Sequence, residues 1–150
     1  MSAPTATDAS VRWVRRSVER RYGDEVTSWR PDPEHGEGLN AHLGARATTS
    51  EDGAARLRLR MGLDLSEPEC SAALECIVEF EFSDHPGELT PEEATEFARG
   101  EGLPFAMGYL RAALSDARLS VGLNAVSFSA RLPGGLAEAV GSAISSDADR

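Results

Sequence analysis

Two runs of strict alternation, separated by Ser66-Glu67-Pro68-Glu69, constrain this chain more than any other feature. In the first, Leu57, Leu59, Met61, Leu63 and Leu65 alternate with Arg56, Arg58, Arg60, Gly62 and Asp64. In the second, Cys70, Ala72, Leu74, Cys76, Val78, Phe80 and Phe82 share one side, and Ser71, Ala73, Glu75, Ile77, Glu79 and Glu81 the other. A period of two places successive side chains on opposite faces of a sheet, so each run has one wholly apolar face that must be covered. The pattern predicts an antiparallel hairpin of Ala55–Leu65 with Cys70–Phe82, burying Leu59, Met61, Leu74 and Val78. Its second face sets an Arg row beside a Glu row. A charged-ligand site is one reading of that face. A solvated ladder that fixes strand register is the one the pattern favours, at about 0.2–1 kcal/mol per cross-strand pair.

The flanking segments extend the sheet. Leu39 to Thr49 alternates weakly, and Ser50-Glu51-Asp52-Gly53 supplies the Asp-Gly of a hairpin turn. Asp8 to Tyr22 is ambiguous: Val11, Val14, Val18 and Tyr22 have helical spacing, yet the run is β-branched and fits a bent edge strand equally. Trp29 to Gly36 reads as a loop, because two prolines and a glycine disfavour regular structure. Thr90-Pro91-Glu92-Glu93 opens a helix, with Thr capping, Pro in the first position and acids in the first turn. That helix is expected to end near Gly100 or Gly102. A longer one follows from Pro104 to Arg118, with Phe105, Ala106, Met107, Tyr109, Leu110, Ala112, Ala113, Leu114 and Ala117 on nearly every side. A helix apolar all round is buried on more than one side, here by the sheet and by another subunit. Leu123 to Phe128 reads as extended, and Leu136 to Ile144 as a final short helix. The chain is therefore expected to be α+β, a four-stranded antiparallel sheet with helices on one side. Residues 9–144 form its single domain, between flexible tails at 1–8 and 145–150.

Composition narrows the function. At 150 residues with 41% apolar and 27% charged, the chain is long enough for one self-sufficient core and too polar for a membrane span. Met1 to Ser10 lacks the apolar stretch of a secretory signal. A net charge of −10 disfavours nucleic acid and anionic membranes, despite the basic cluster Arg12, Arg15, Arg16, Arg20 and Arg21. Cys70 and Cys76 share a strand face six residues apart, too far to bridge, so they read as buried free thiols of a cytoplasmic protein.

Catalytic signatures are missing. His35, His42 and His85 have no partner at metal-ligand spacing. There is no phosphate-binding glycine loop and no nucleophile elbow. Glu92 and Glu93 belong to a helix start, and Glu75, Glu79 and Glu81 to a strand's polar face. No catalytic residue, metal or cofactor is expected. The aromatic residues are more suggestive. Phe80, Phe82 and Phe128 fall at element ends and Trp29 in the Pro-rich loop, where partial exposure would suit adaptable binding of other polypeptides.

The order of these elements resembles the SecB-like export chaperones. The resemblance rests on Val78-Glu79-Phe80-Glu81-Phe82, a short helix, then Gly102-Leu103-Pro104-Phe105-Ala106-Met107-Gly108-Tyr109-Leu110-Arg111, the extended Leu123-Asn124-Ala125-Val126-Ser127-Phe128 and a last helix. Tyr109 and Arg111 match the family's Tyr and Arg, while Gly108 stands where the family has Pro and the extended segment lacks the family's prolines. The resemblance spans residues 11–144 in topology and is motif-like over 103–128. It implies a homotetramer or dimer with the helix near 104–118 at the interface, through Ala106, Tyr109, Leu110, Ala113 and Leu114. It also implies a nucleotide-independent holdase for unfolded polypeptides, which passes them to the export motor ATPase or protects an antitoxin. Trp29, Phe80, Phe82 and Phe128 would line the apolar grooves. The competing class is a small-ligand-binding or enzymatic α+β domain with a closed pocket under the helix.

Overall fold

The structure, a computed structural model, describes residues 3–21, 38–124 and 135–148. Four strands, β1 (Asp8–Arg20), β2 (Gly38–Thr49), β3 (Ala54–Ser66) and β4 (Cys70–Pro86), precede the helices. These are α1 (Pro91–Phe97), a π turn (Ala98–Gly102), α2 (Leu103–Ser120) and α3 (Leu136–Ala148). The strands form one antiparallel sheet in the order β1-β4-β3-β2, so the first strand joins the far side of the last.

The hairpin forms in the expected register, with Leu59 opposite Val78, Met61 opposite Cys76 and Leu63 opposite Leu74. All six side chains are buried. On the other face Arg56 donates to Glu81 at 3.0 Å and Arg58 to Glu79 at 2.8 Å. Arg60 lies opposite Ile77 and reaches diagonally to Glu75. These pairs are open to water, so each contributes at most about 1 kcal/mol, and their role is register. Gly62 leaves room for the ring of His42 from β2, which lies over it and would have to swing aside for a Cβ.

The ambiguous N-terminal segment is a strand, paired with β4 from Asp8↔Glu81 to Arg20↔Cys70. A bulge between Trp13 and Arg15 explains its misleading periodicity. Before the bulge Val11 and Trp13 face the apolar side, after it Arg16 and Val18 do, and Val14 is left exposed.

Helices cover the apolar face. Leu103, Ala106, Met107, Leu110, Ala113 and Leu114 of α2 are buried, with α2 lying chiefly on β4, while α3 packs on β2 and α1 through Ala137, Val140 and Ile144. Thr90 and Glu93 close a reciprocal capping box at the start of α1. The chain does not break at Gly100 or Gly102 as expected; it continues helically through the π turn. Gly102 serves close approach instead of termination, since a Cβ there would come within 3.0 Å of the Phe97 ring.

The far end of α2 is fixed by Arg118, a buried cation. It pairs with Glu67 of the β3–β4 turn and donates to the Asn124 carbonyl at 2.7 Å. Arg20 of β1 donates to the Val121 carbonyl at 2.6 Å. Cys70 and Cys76 are both buried and free, and burial pushes each thiol's pKa up.

Candidate functional site

Five aromatic rings run from the core to the surface at one end of the sheet. Phe82 meets Phe97 at 4.8 Å between centroids, Phe97 meets Phe80 at 4.9 Å, Phe80 meets Phe105 at 5.5 Å and Phe105 meets Tyr109 at 5.2 Å. The first three contacts are edge-on, the arrangement aromatic quadrupoles favour. Phe80, Phe82 and Phe97 are buried, whereas Phe105 and Tyr109 are 38% and 44% exposed. Buried rings thus hold the exposed pair from beneath.

This outcome revises the expected surface. Phe82 is fully buried and Phe80 nearly so, because both point to the apolar side of β4, under Phe97. Phe82 is a core residue. Phe80 contributes as the floor of a groove. Trp29 and Phe128 lie outside the described residues. Of the five residues expected at a subunit interface, Ala106, Leu110, Ala113 and Leu114 are buried within this chain's own fold, and Tyr109 is exposed. α2 buries one stripe of its apolar residues, at 103, 106, 107, 110, 113 and 114, and leaves its opposite side exposed. Phe105 and Tyr109, one helical turn apart on that open side, were the available signal.

The groove lies at one end of the seam between β1 and α2. Ala6, Thr7, Asp8 and Ala9 form one bank, Glu101 and Phe105 the other, and Phe80 and Phe97 the floor, enclosing about 360 Å³. At the opposite end of the seam Arg16, Ser17 and Val18 face Asp116, Ala117 and Ser120 over Leu74, around a hollow of about 270 Å³. Between the two ends Val11 and Trp13 are half-buried, and the Arg16 guanidinium sits 4.9 Å from the Trp13 ring centroid. Such a cation–π contact on an accessible ring contributes about 0.5–1 kcal/mol. Among the described strands, β1 is an edge that pairs with β4 alone. Its second row of backbone N–H and C=O groups thus flanks the seam.

The seam combines three kinds of surface. Its floor is apolar and aromatic, its rim carries Asp8, Glu101 and Asp116, and β1, which pairs with β4 alone among the described strands, runs beside it. Among the described residues no group of His, Cys, Asp and Glu side chains could hold a metal ion. No described helix is long and apolar enough to cross a membrane.

No family model matches the sequence, and no curated protein matches it. Among solved structures, the chain is similar to the Mycobacterium tuberculosis Rv1957 SecB-like chaperone, in complex with a ChAD peptide from the Rv1956 HigA1 antitoxin. The match has a TM-score of 0.52 at 17% identity and spans 83% of this chain and 91% of that one. At that identity the likeness is one of fold.

Proposed function

We propose that this chain is a nucleotide-independent holdase chaperone that binds unfolded or partly folded polypeptides along the β1–α2 seam. The observation that carries the reading is the pair Phe105 and Tyr109, exposed on the helix and braced by buried rings beside β1, which pairs with β4 alone among the described strands. An extended segment can place apolar side chains over the aromatic floor and satisfy its backbone on β1, a mode that tolerates many sequences. Rigid aromatics give contact area at low entropic cost. No catalytic residue, nucleotide or metal takes part, and neither nucleic acid nor a membrane is the partner. The site of action is the cytoplasm, and delivery to an export motor ATPase is the use the SecB-like resemblance suggests.

Homo-oligomerisation, as a dimer or tetramer, completes the proposal. The outermost side of α2 is exposed, with Gly108 and Ala112 small enough to let a second copy approach closely and Leu119 an apolar contact beside them. Sedimentation of Ala112→Arg and Leu119→Glu tests this, since a charge at the contact dissociates an assembly built on this face.

A dedicated chaperone for one partner is the second reading. It is favoured by the structural neighbour, whose solved complex holds an antitoxin peptide. Suppression of aggregation of a denatured client, without ATP, tests the general reading. The wild type is expected to keep the client soluble. The double change Phe105→Ser with Tyr109→Ser is expected to weaken holding ten-fold or more, on the order of 1.4 kcal/mol. A protein that holds no unrelated client supports the dedicated reading, and normal holding by the double variant removes the seam from the account.

A further inference from the structure

We propose that His85 is a proton-operated strap, which ties the start of α1 to the end of β4 when its imidazole is charged. Both ring nitrogens face acceptors: Nε2 lies 3.0 Å from Oε1 of Glu93, and Nδ1 lies 3.3 Å from the Gly87 carbonyl. A neutral imidazole has one N–H and one lone pair, so in either tautomer a lone pair would confront an oxygen. Only the imidazolium donates to both.

The ionisable groups around the ring are mainly carboxylates. Asp52 of the β2–β3 turn and Glu81 and Asp84 of β4 line the hollow that His85 borders, and Glu93 comes from α1. The guanidinium of Arg56 on β3 is taken up by Glu81. The hydrogen bond to Glu93 raises the His85 pKa above its ordinary 6.5, against a smaller opposing effect of burial. His85 in turn lowers that of Glu93 below its ordinary 4.5, together with the Thr90 backbone N–H.

Glu93 makes the strap consequential. One carboxylate oxygen accepts from His85 and the other from the Thr90 N–H at 2.9 Å, so the strap and the capping box share one side chain. Protonation of His85 therefore fixes the first turn of the helix that carries Phe97. The raised His85 pKa makes this contribution full below pH 6.5 and lost as pH rises through the folded value. The lowered Glu93 pKa makes it full above pH 4.5 and lost as pH falls through the folded value. The strap is thus tightest between those limits, whatever the groove holds.

The test is an NMR titration of the full chain, following the histidine Cε1–H signals and the amides of Thr90, Glu92, Glu93 and Ala94. One histidine signal, absent in His85→Gln, is expected to titrate above 6.5, and the first-turn amides of α1 to move with the same midpoint. Glu93→Gln should bring that histidine back toward 6.5. A His85 signal titrating at or below 6.5 in the wild type overturns the proposal. So does an unchanged midpoint in Glu93→Gln, or α1 amides that do not follow the histidine. The wild-type titration decides the matter even if a variant fails to fold.

Discussion

Phe105 meets Phe80 edge-on, with ring centroids 5.5 Å apart, so a ring 38% exposed rests on one only 2% exposed. The contact joins surface and core. It fixes the rotamer of Phe105 by packing, and it makes part of any loss at position 105 a loss of a real contact, about 0.5–1.5 kcal/mol. Two rings of this aromatic series, Phe105 and Phe82, therefore have different predicted roles.

Phe105→Ser should lower the urea midpoint by the equivalent of about 1–2 kcal/mol, since the ring is partly exposed already. Phe82→Ala should cost about 3–5 kcal/mol, because it empties a fully buried site. Parallel urea titrations check the difference. Equal losses would mean that both rings belong to one core.

Leu110→Asp should abolish folding instead of merely separating subunits. Leu110 is fully buried within this chain's own fold, and an unpaired carboxylate there costs several kcal/mol. Far-ultraviolet circular dichroism distinguishes an unfolded chain from a folded monomer, and a folded monomer would return Leu110 to an intersubunit role.

The sheet was legible because strand periodicity survives in it undisturbed. Leu57 to Leu65 and Cys70 to Phe82 each keep one apolar face, and on the other face Arg56 and Arg58 sit opposite Glu81 and Glu79. β1 was not legible, because the Val14 bulge shifts the phase halfway and imitates helical spacing at Val11, Val14 and Val18. The site was legible only in part. Composition identified aromatic residues near strand ends, but alternation places Phe80 and Phe82 on the face that α1 and α2 cover. Which side of α2 meets the sheet depends on packing, and a helix carrying apolar residues all round gives no amphipathic contrast to reveal it.

Gly141→Ala should destabilise the α1–α3 contact. A helical Gly→Ala change gains about 1 kcal/mol of propensity, but the new Cβ would press on Thr95 Oγ1 and lie 3.1 Å from the Pro91 carbonyl oxygen. Backbone cannot swing aside, so overpacking of about 1–3 kcal/mol outweighs the gain. A raised melting temperature would show that the helices separate freely.

Arg118→Met should cost about 2–3 kcal/mol, because it leaves Glu67 and the Asn124 carbonyl without their charged donor. Urea denaturation measures it.

Hydrogen exchange with and without a bound unfolded polypeptide tests the central claim most directly. The account predicts new protection in residues 8–18 of β1 and 103–120 of α2, where the strand edge and the aromatic groove meet, with β2 and β3 unchanged. Protection confined to the Arg and Glu rows of the outer sheet face, or none on β1, would contradict it.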